Sequence, residues 1–296
     1  MRLPQEGLTN NPGTENLLVE GLRRGTRVIG AAPYCDPDPR GQIDRIFALA
    51  RDWDVDMHLD MGETPDGMQA EYVCRKTEEY GWGGRVTVGH ATQMSLVPPA
   101  HYAALAATLA RAGAAVTVLP STDLFLQGRS HGHAVPRGVL PLERLRAAGV
   151  TCSVATNNVL NPFTPYGDAN LLRMANLYAN VCQVSRPGDL AACLGMVTTD
   201  AARLIPVRTS LDLVPTRLGL PLAAGASGSS GSKLVRAGMM RVDGYGIRVG
   251  AAADLVLLQA ATGAGAVAEL AQPLWGMKAG RLTFTRARPV RHRPAG

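Results

Sequence analysis

The sequence predicts an α/β chain of the (β/α)-barrel kind, assembled from repeated strand-then-helix units. Three observations carry that expectation. Short β-branched runs alternate with amphipathic stretches at intervals of roughly 30 residues, the pattern of a parallel sheet crossed by helices. Proline opens and glycine closes several of the amphipathic stretches. Residues able to do chemistry stand where strand-like runs end, and a barrel gathers its site at that edge.

Strands are read at residues 26–31 (TRVIGA), 54–60 (DVDMHLD), 85–90 (RVTVGH), 114–119 (AAVTVL) and 150–156 (VTCSVAT). Helices are expected between and after them. Residues 14–24 carry Leu17, Leu18 and Leu22 and stop at Gly25, and residues 41–51 space Ile43, Ile46, Phe47 and Leu49 for one helical face. Residues 99–111 start at prolines and end before Gly113, and 142–148 end before Gly149. Further helices are expected at 169–184 and 188–196, with a short one at 200–204. Five units are fewer than the eight that close a barrel. An open, doubly wound sheet is the alternative architecture, but its GxGxxG phosphate fingerprint after the first strand is absent.

The chain divides into four parts. Residues 1–205 hold the barrel units, and 206–243 are a low-complexity insertion or linker rich in Gly, Ser and Ala. Residues 244–286 regain order: a strand in DLVLL, a weak helix, then a strand, a turn at Lys278-Ala279-Gly280 and a second strand. Residues 287–296 form a tail.

Composition excludes several classes. With 46% hydrophobic and 18% charged residues, the chain is not wholly disordered. No apolar run reaches the length of a membrane helix, and the N-terminus lacks the apolar core of a signal peptide, so a cytoplasmic protein is expected. The net charge of +6 does not mark a nucleic-acid binder: Lys76, Lys233 and Lys278 are the only lysines, the arginines are scattered, and aromatics total 5%. Five cysteines without a CxxC pair fit a reducing compartment, most as small buried hydrophobes.

Three strand ends attract attention. His58 closes its strand in MHLD, His90 closes the next in VGHAT, and Asn157 follows the last in VATNN. A histidine at a strand tip can hold a divalent metal through a neutral ring nitrogen or orient a water. The HxH of His131 and His133 lies among Gly, Arg, Ser and Pro, so it belongs to a loop, where a solvent or substrate-rim role is favoured over metal binding. His101 and His292 are read as inert.

Several motifs, in order, resemble cytosine deaminases of the amidohydrolase superfamily. They are PQEG from Pro4, HLD at His58, GHAT at Gly89, LQGR from Leu126, and N-x-x-x-N-P-x-x-P-x-G from Asn157 to Gly167. ANLLRMANLYANVCQ from Ala169 and GYGIRVGAAADLVLL from Gly244 extend the likeness. The resemblance implies a metallo-hydrolase barrel with a small β-domain. It further implies that this chain holds an incomplete barrel, without counterparts of the first two strands and part of the third, and a remnant of the β-domain at its C-terminal end. It implies deamination of a heterocyclic small molecule, with a divalent metal, zinc or iron, activating water. Gln5 matches the glutamine that hydrogen-bonds the pyrimidine ring, His58 a metal ligand, and His90 the histidine at the metal-activated water, a second candidate ligand.

The departures from the family pattern are specific. An aspartate that binds metal and takes the water's proton is expected where Asn157 stands. The proton-shuttling glutamate is replaced by Met61, and Glu63, two residues on, is the candidate substitute. The family's first-strand HxH has no counterpart in this chain. Two other readings therefore accompany the enzyme: an inactive homologue, and a small-molecule binding protein using the same mouth. A partial barrel wall also leaves strand edges through which copies can associate as a homo-oligomer.

Overall fold

The computed structural model describes residues 4, 6–53, 56–60, 67–205 and 245–286. Gln5, Met61, Glu63, the segment 206–243 and the tail 287–296 lie outside them.

The five expected strands are all present: β1 (Val28–Ala31), β2 (Asp56–Asp60), β3 (Val86–Gly89), β4 (Ala115–Val118) and β5 (Cys152–Val154). They pair in parallel and in sequence order, β1-β2-β3-β4-β5. A doubly wound sheet reverses its strand order partway across. This one does not, which places the units in the barrel class and rules out the doubly wound alternative for the described strands.

Alternation along the strands explains how they sit. Ile29, Met57, Val86, Val88, Val116, Val118, Cys152 and Val154 are all buried and form the hydrophobic core with the helices. The intervening positions are small or polar: the register lines up Gly30, His58 and Thr87, then Gly89, Thr117 and Ser153. On that second row the Thr117 and Ser153 hydroxyls bond each other at 2.7 Å, so neither buried group is orphaned.

The helices follow their apolar stripes. α1 (Thr14–Arg23) buries Leu18 and Leu22, while Leu17, counted in the apolar set from sequence, is 72% exposed on the outer side. α2 (Pro39–Trp53) buries Ile43, Ile46, Phe47, Leu49 and Ala50. α3 (Ala70–Tyr80), whose stripe of Val73, Cys74 and Thr77 is weakly apolar, is not individually marked in the sequence. α4 (Pro99–Ala112) starts on proline and ends at Gly113, whose φ of 68° lets the Ala114 N–H reach back to Leu109 O at 3.0 Å. α5 (Pro120–Leu126) is a second helix unmarked in the sequence. Then come α6 (Glu143–Ala147), α7 (Leu171–Val181), α8 (Pro187–Met196) and α9 (Thr199–Ala202).

The C-terminal part matches its expectation closely. β6 (Leu255–Leu258), α10 (Gly263–Ala268), β7 (Pro273–Lys278) and β8 (Arg281–Thr285) form in that order, with the strands in an antiparallel sheet β6-β7-β8. α10 lies against α8 and α7, where Asn176 Nδ2 donates to Val267 O at 2.7 Å. Cys74, Cys152 and Cys193 are buried, as expected of small hydrophobes. Burial pushes the Cys74 and Cys152 thiols up to about 12. No helix among the described residues is long and apolar enough to cross a membrane.

Candidate active site

Three consecutive strand ends build the site. β3 ends at Gly89, and the chain turns immediately: His90 and Ala91 both take left-handed backbone conformations, φ 59° and 53°. The His90 N–H stays tied to Thr117 O of β4 at 2.9 Å. This sharp turn leaves the imidazole 8% exposed at the edge of the sheet.

Behind His90 stands Asp123, in α5 just after β4 and 2% exposed. Its Oδ1 bonds His90 Nδ1, and its Oδ2 accepts the Leu119 N–H at 2.9 Å. In front of His90 stands Asn157, just past β5, an exposed residue with φ 57°. Its Nδ2 lies 3.1 Å from His90 Nε2. The result is a hydrogen-bonded line from a buried carboxylate, through an imidazole, to an amide at the surface.

The loop bearing Asn157 is built on its own asparagines. Asn161 Oδ1 accepts the N–H groups of Phe163 and Thr164, both at 3.0 Å, and Asn161 Nδ2 donates to Asn158 Oδ1 at 2.7 Å. The buried Thr164 hydroxyl meets that of Thr122 at 2.7 Å, so the loop is pinned to α5 one residue from Asp123. The Asn157–Gly167 motif is thus a clamp that holds both partners of His90 in one piece.

The sequence-predicted site residues divide accordingly. His90 and Asn157 are brought together. His58 holds its β2 register position between Gly30 and Thr87; the description of its side chain, like Gln5 and Glu63, lies outside the described residues. His131 and His133 are exposed in their loop, as expected, and His101 is exposed beside Glu71. Asp123 was missed. Its signal was available in PSTDLFLQGR, a carboxylate just after a strand and at the start of a helix.

A buried carboxylate also organises the end of β1. Asp36 accepts from the N–H groups of Leu8 at 2.6 Å, Thr9 at 2.9 Å and Asp38 at 3.0 Å, from Gln42 Nε2 at 3.0 Å, and from the Thr9 hydroxyl. Burial pushes this carboxyl up, but the hydrogen bonds outweigh it and hold it below its ordinary value.

The residues described do not compose a metal centre. Among them, no three His, Cys, Asp or Glu side chains stand together so as to hold an ion. Both ring nitrogens of His90 face protein partners, and an amide at Asn157 is a poor ligand.

The sequence pattern that defines the Amidohydrolase family matches residues 3–211. The pterin deaminase of Rhizobium rhizogenes (strain K84 / ATCC BAA-868) is 29% identical over 191 residues, which cover 64% of this chain and 43% of that protein. The crystal structure of 5-methylcytosine deaminase from Klebsiella pneumoniae, liganded with 5-fluorocytosine, has a TM-score of 0.82 at 23% identity, covering 99% of this chain and 64% of that one; this likeness is one of fold. N-isopropylammelide isopropylaminohydrolase from Burkholderia multivorans ATCC 17616 has a TM-score of 0.72 at 27% identity, covering 95% and 60%. The chain spans less than two thirds of the length of each. With sequential parallel units leading to His90 and Asn157, and the family pattern running over residues 3–211, this chain belongs to the Amidohydrolase family.

Proposed function

We propose that the chain serves hydrolysis of a non-peptide C–N bond in a cyclic amidine, a deamination like that of cytosine. The observation that carries this is the line Asp123–His90–Asn157 at the strand ends. A carboxylate behind an imidazole orients the ring, leaves its other nitrogen to accept a proton and stabilises the cation that results. In the reaction, water adds to the ring carbon as its proton passes to His90 Nε2, with the Asn157 amide moving aside. The proton then goes to the exocyclic nitrogen, the C–N bond breaks, and ammonia leaves behind a carbonyl. Atoms balance as amidine plus water giving amide plus ammonia. The names of the relatives, a pterin deaminase and a 5-methylcytosine deaminase, support a small heterocyclic substrate.

The remaining roles belong to the same proposal. Gln5 offers a donor and an acceptor to the ring edge. Glu63 takes the proton-shuttle place vacated at Met61. In the complete family site a divalent ion, zinc or iron, would be held through His58, with His90 as the second candidate ligand; that role for His90 would require its ring to leave the partners it has here. The units of residues 1–205 form part of a barrel wall, 206–243 a linker, 244–286 part of a small β-domain and 287–296 a tail. Cytoplasmic residence, no nucleic-acid or membrane partner, and self-association complete the reading.

A second reading, binding without turnover, is favoured by one observation: an amide stands against Nε2 where the family resemblance calls for a carboxylate. An ammonia-release assay of the full chain on cytosine, isocytosine, an aminotriazine and a pterin separates the two. Release from at least one of them is expected. Tight binding of a ring by calorimetry with no ammonia from any selects the second reading. Elemental analysis should find less than one equivalent of zinc or iron per chain, and a stoichiometric content would overturn the reading of the described residues as no metal centre.

A further inference from the structure

We propose that Asp123 is a positioning residue that fixes His90 in the tautomer protonated on Nδ1, and so sets Nε2 as the acceptor facing Asn157. The inference deepens the reading of His90 as the proton-handling group and rests on it for its functional meaning. Its structural part stands separately.

Two independent contacts require the same tautomer. An ionised carboxylate only accepts, so the Asp123 contact needs a proton on Nδ1. The Asn157 amide nitrogen only donates, so the contact at 3.1 Å needs a lone pair on Nε2. A neutral imidazole has one of each, and a single tautomer satisfies both partners. The carboxylate cannot swing away cheaply: it is 2% exposed, and its other oxygen holds the Leu119 N–H at 2.9 Å. The Thr122 and Thr164 hydroxyls, 2.7 Å apart, tie α5 to the Asn157 loop.

The family resemblance implies a carboxylate at position 157; here an amide stands at that position, and a carboxylate, Asp123, lies on the other side of the ring.

The test is ¹⁵N NMR of the histidine-labelled full chain at the alkaline end of a titration, with the His90 signals identified by their loss in His90→Gln. Wild type is expected to show a protonated, pyrrole-like Nδ1 and an unprotonated, pyridine-like Nε2. Asp123→Ala should shift His90 toward the Nε2-protonated tautomer that free histidine prefers. A wild-type His90 protonated on Nε2, or a tautomer unchanged by Asp123→Ala, would overturn the proposal. Should Asp123→Ala fail to fold, the wild-type spectrum still decides it. With a hydrolysed ring in hand, Asp123→Asn should lower kcat by about 100-fold or more while KM stays nearly constant. An Nδ1-protonated His90 in a chain that releases no ammonia would leave the positioning role standing and remove the hydrolase reading.

Discussion

His90→Ala should lower kcat/KM for ammonia release by about two to four orders of magnitude, or roughly 3–5 kcal/mol of transition-state stabilisation. The ring is the one proton acceptor in the line from Asp123 to Asn157, and neither neighbour can replace it. Asp123 is 2% exposed and reaches the mouth only through the ring. Asn157 carries no basic group. Folding effects must be separated from chemistry, because His90 sits at φ 59°. His90→Asn is the matched variant, since asparagine tolerates left-handed backbone better than alanine and is no base near neutral pH. Both variants should lose activity alike while His90→Asn keeps the wild-type melting temperature more closely. Steady-state kinetics and thermal melts check this, and a loss below tenfold in His90→Asn would remove His90 from proton transfer.

Asp36→Ala should destabilise the chain by about 2–4 kcal/mol, among the larger effects of a single polar substitution. Asp36 is 6% exposed and accepts from Leu8, Thr9, Asp38 and Gln42, and alanine leaves these donors with nothing in its place. Gln42 is itself fully buried, so its amide cannot turn to water for compensation. The pH dependence has a definite sign. The folded carboxyl titrates below its unfolded value, so it contributes stability above about pH 4 and loses it as the pH falls through the folded value. The stability gap between wild type and Asp36→Asn should therefore narrow under acid, as read by urea melts across the acid range. A gap independent of pH would mean that Asp36 acts by packing alone. Because Leu8 and Thr9 lie only three and four residues after Gln5, Asp36→Ala should also raise KM if Gln5 grips the ring as proposed.

The barrel-type units were legible because their signal is local. Each strand is a short apolar run, and helices such as Pro99–Ala112 carry both a stripe and their stop signals. Ala70–Tyr80 escaped notice because its buried face relies on Val73, Cys74 and Thr77, and the threonine only becomes apolar in effect by returning its hydroxyl to Val73 O at 2.7 Å. The site was half legible for a different reason. His90 and Asn157 stand at strand ends, a position the sequence reveals. Asp123 is defined by a contact across 33 residues, from the helix after the neighbouring strand, and no periodicity reports that. The Thr117–Ser153 pair was invisible likewise, since each hydroxyl alone looks like an ordinary strand residue.

The left-handed turn at Asn157 has a bearing on how this site can be retuned. At φ 57° the side chains accepted with least strain, apart from glycine, are asparagine and aspartate. These two are nearly the same in shape and differ only in trading an amino group for an oxygen. The backbone thus confines the position to a pair whose exchange leaves volume and main-chain geometry alone while altering charge and proton capacity. An engineer, or mutation in a lineage, can cross between the two chemistries at this position with little penalty to the scaffold around it.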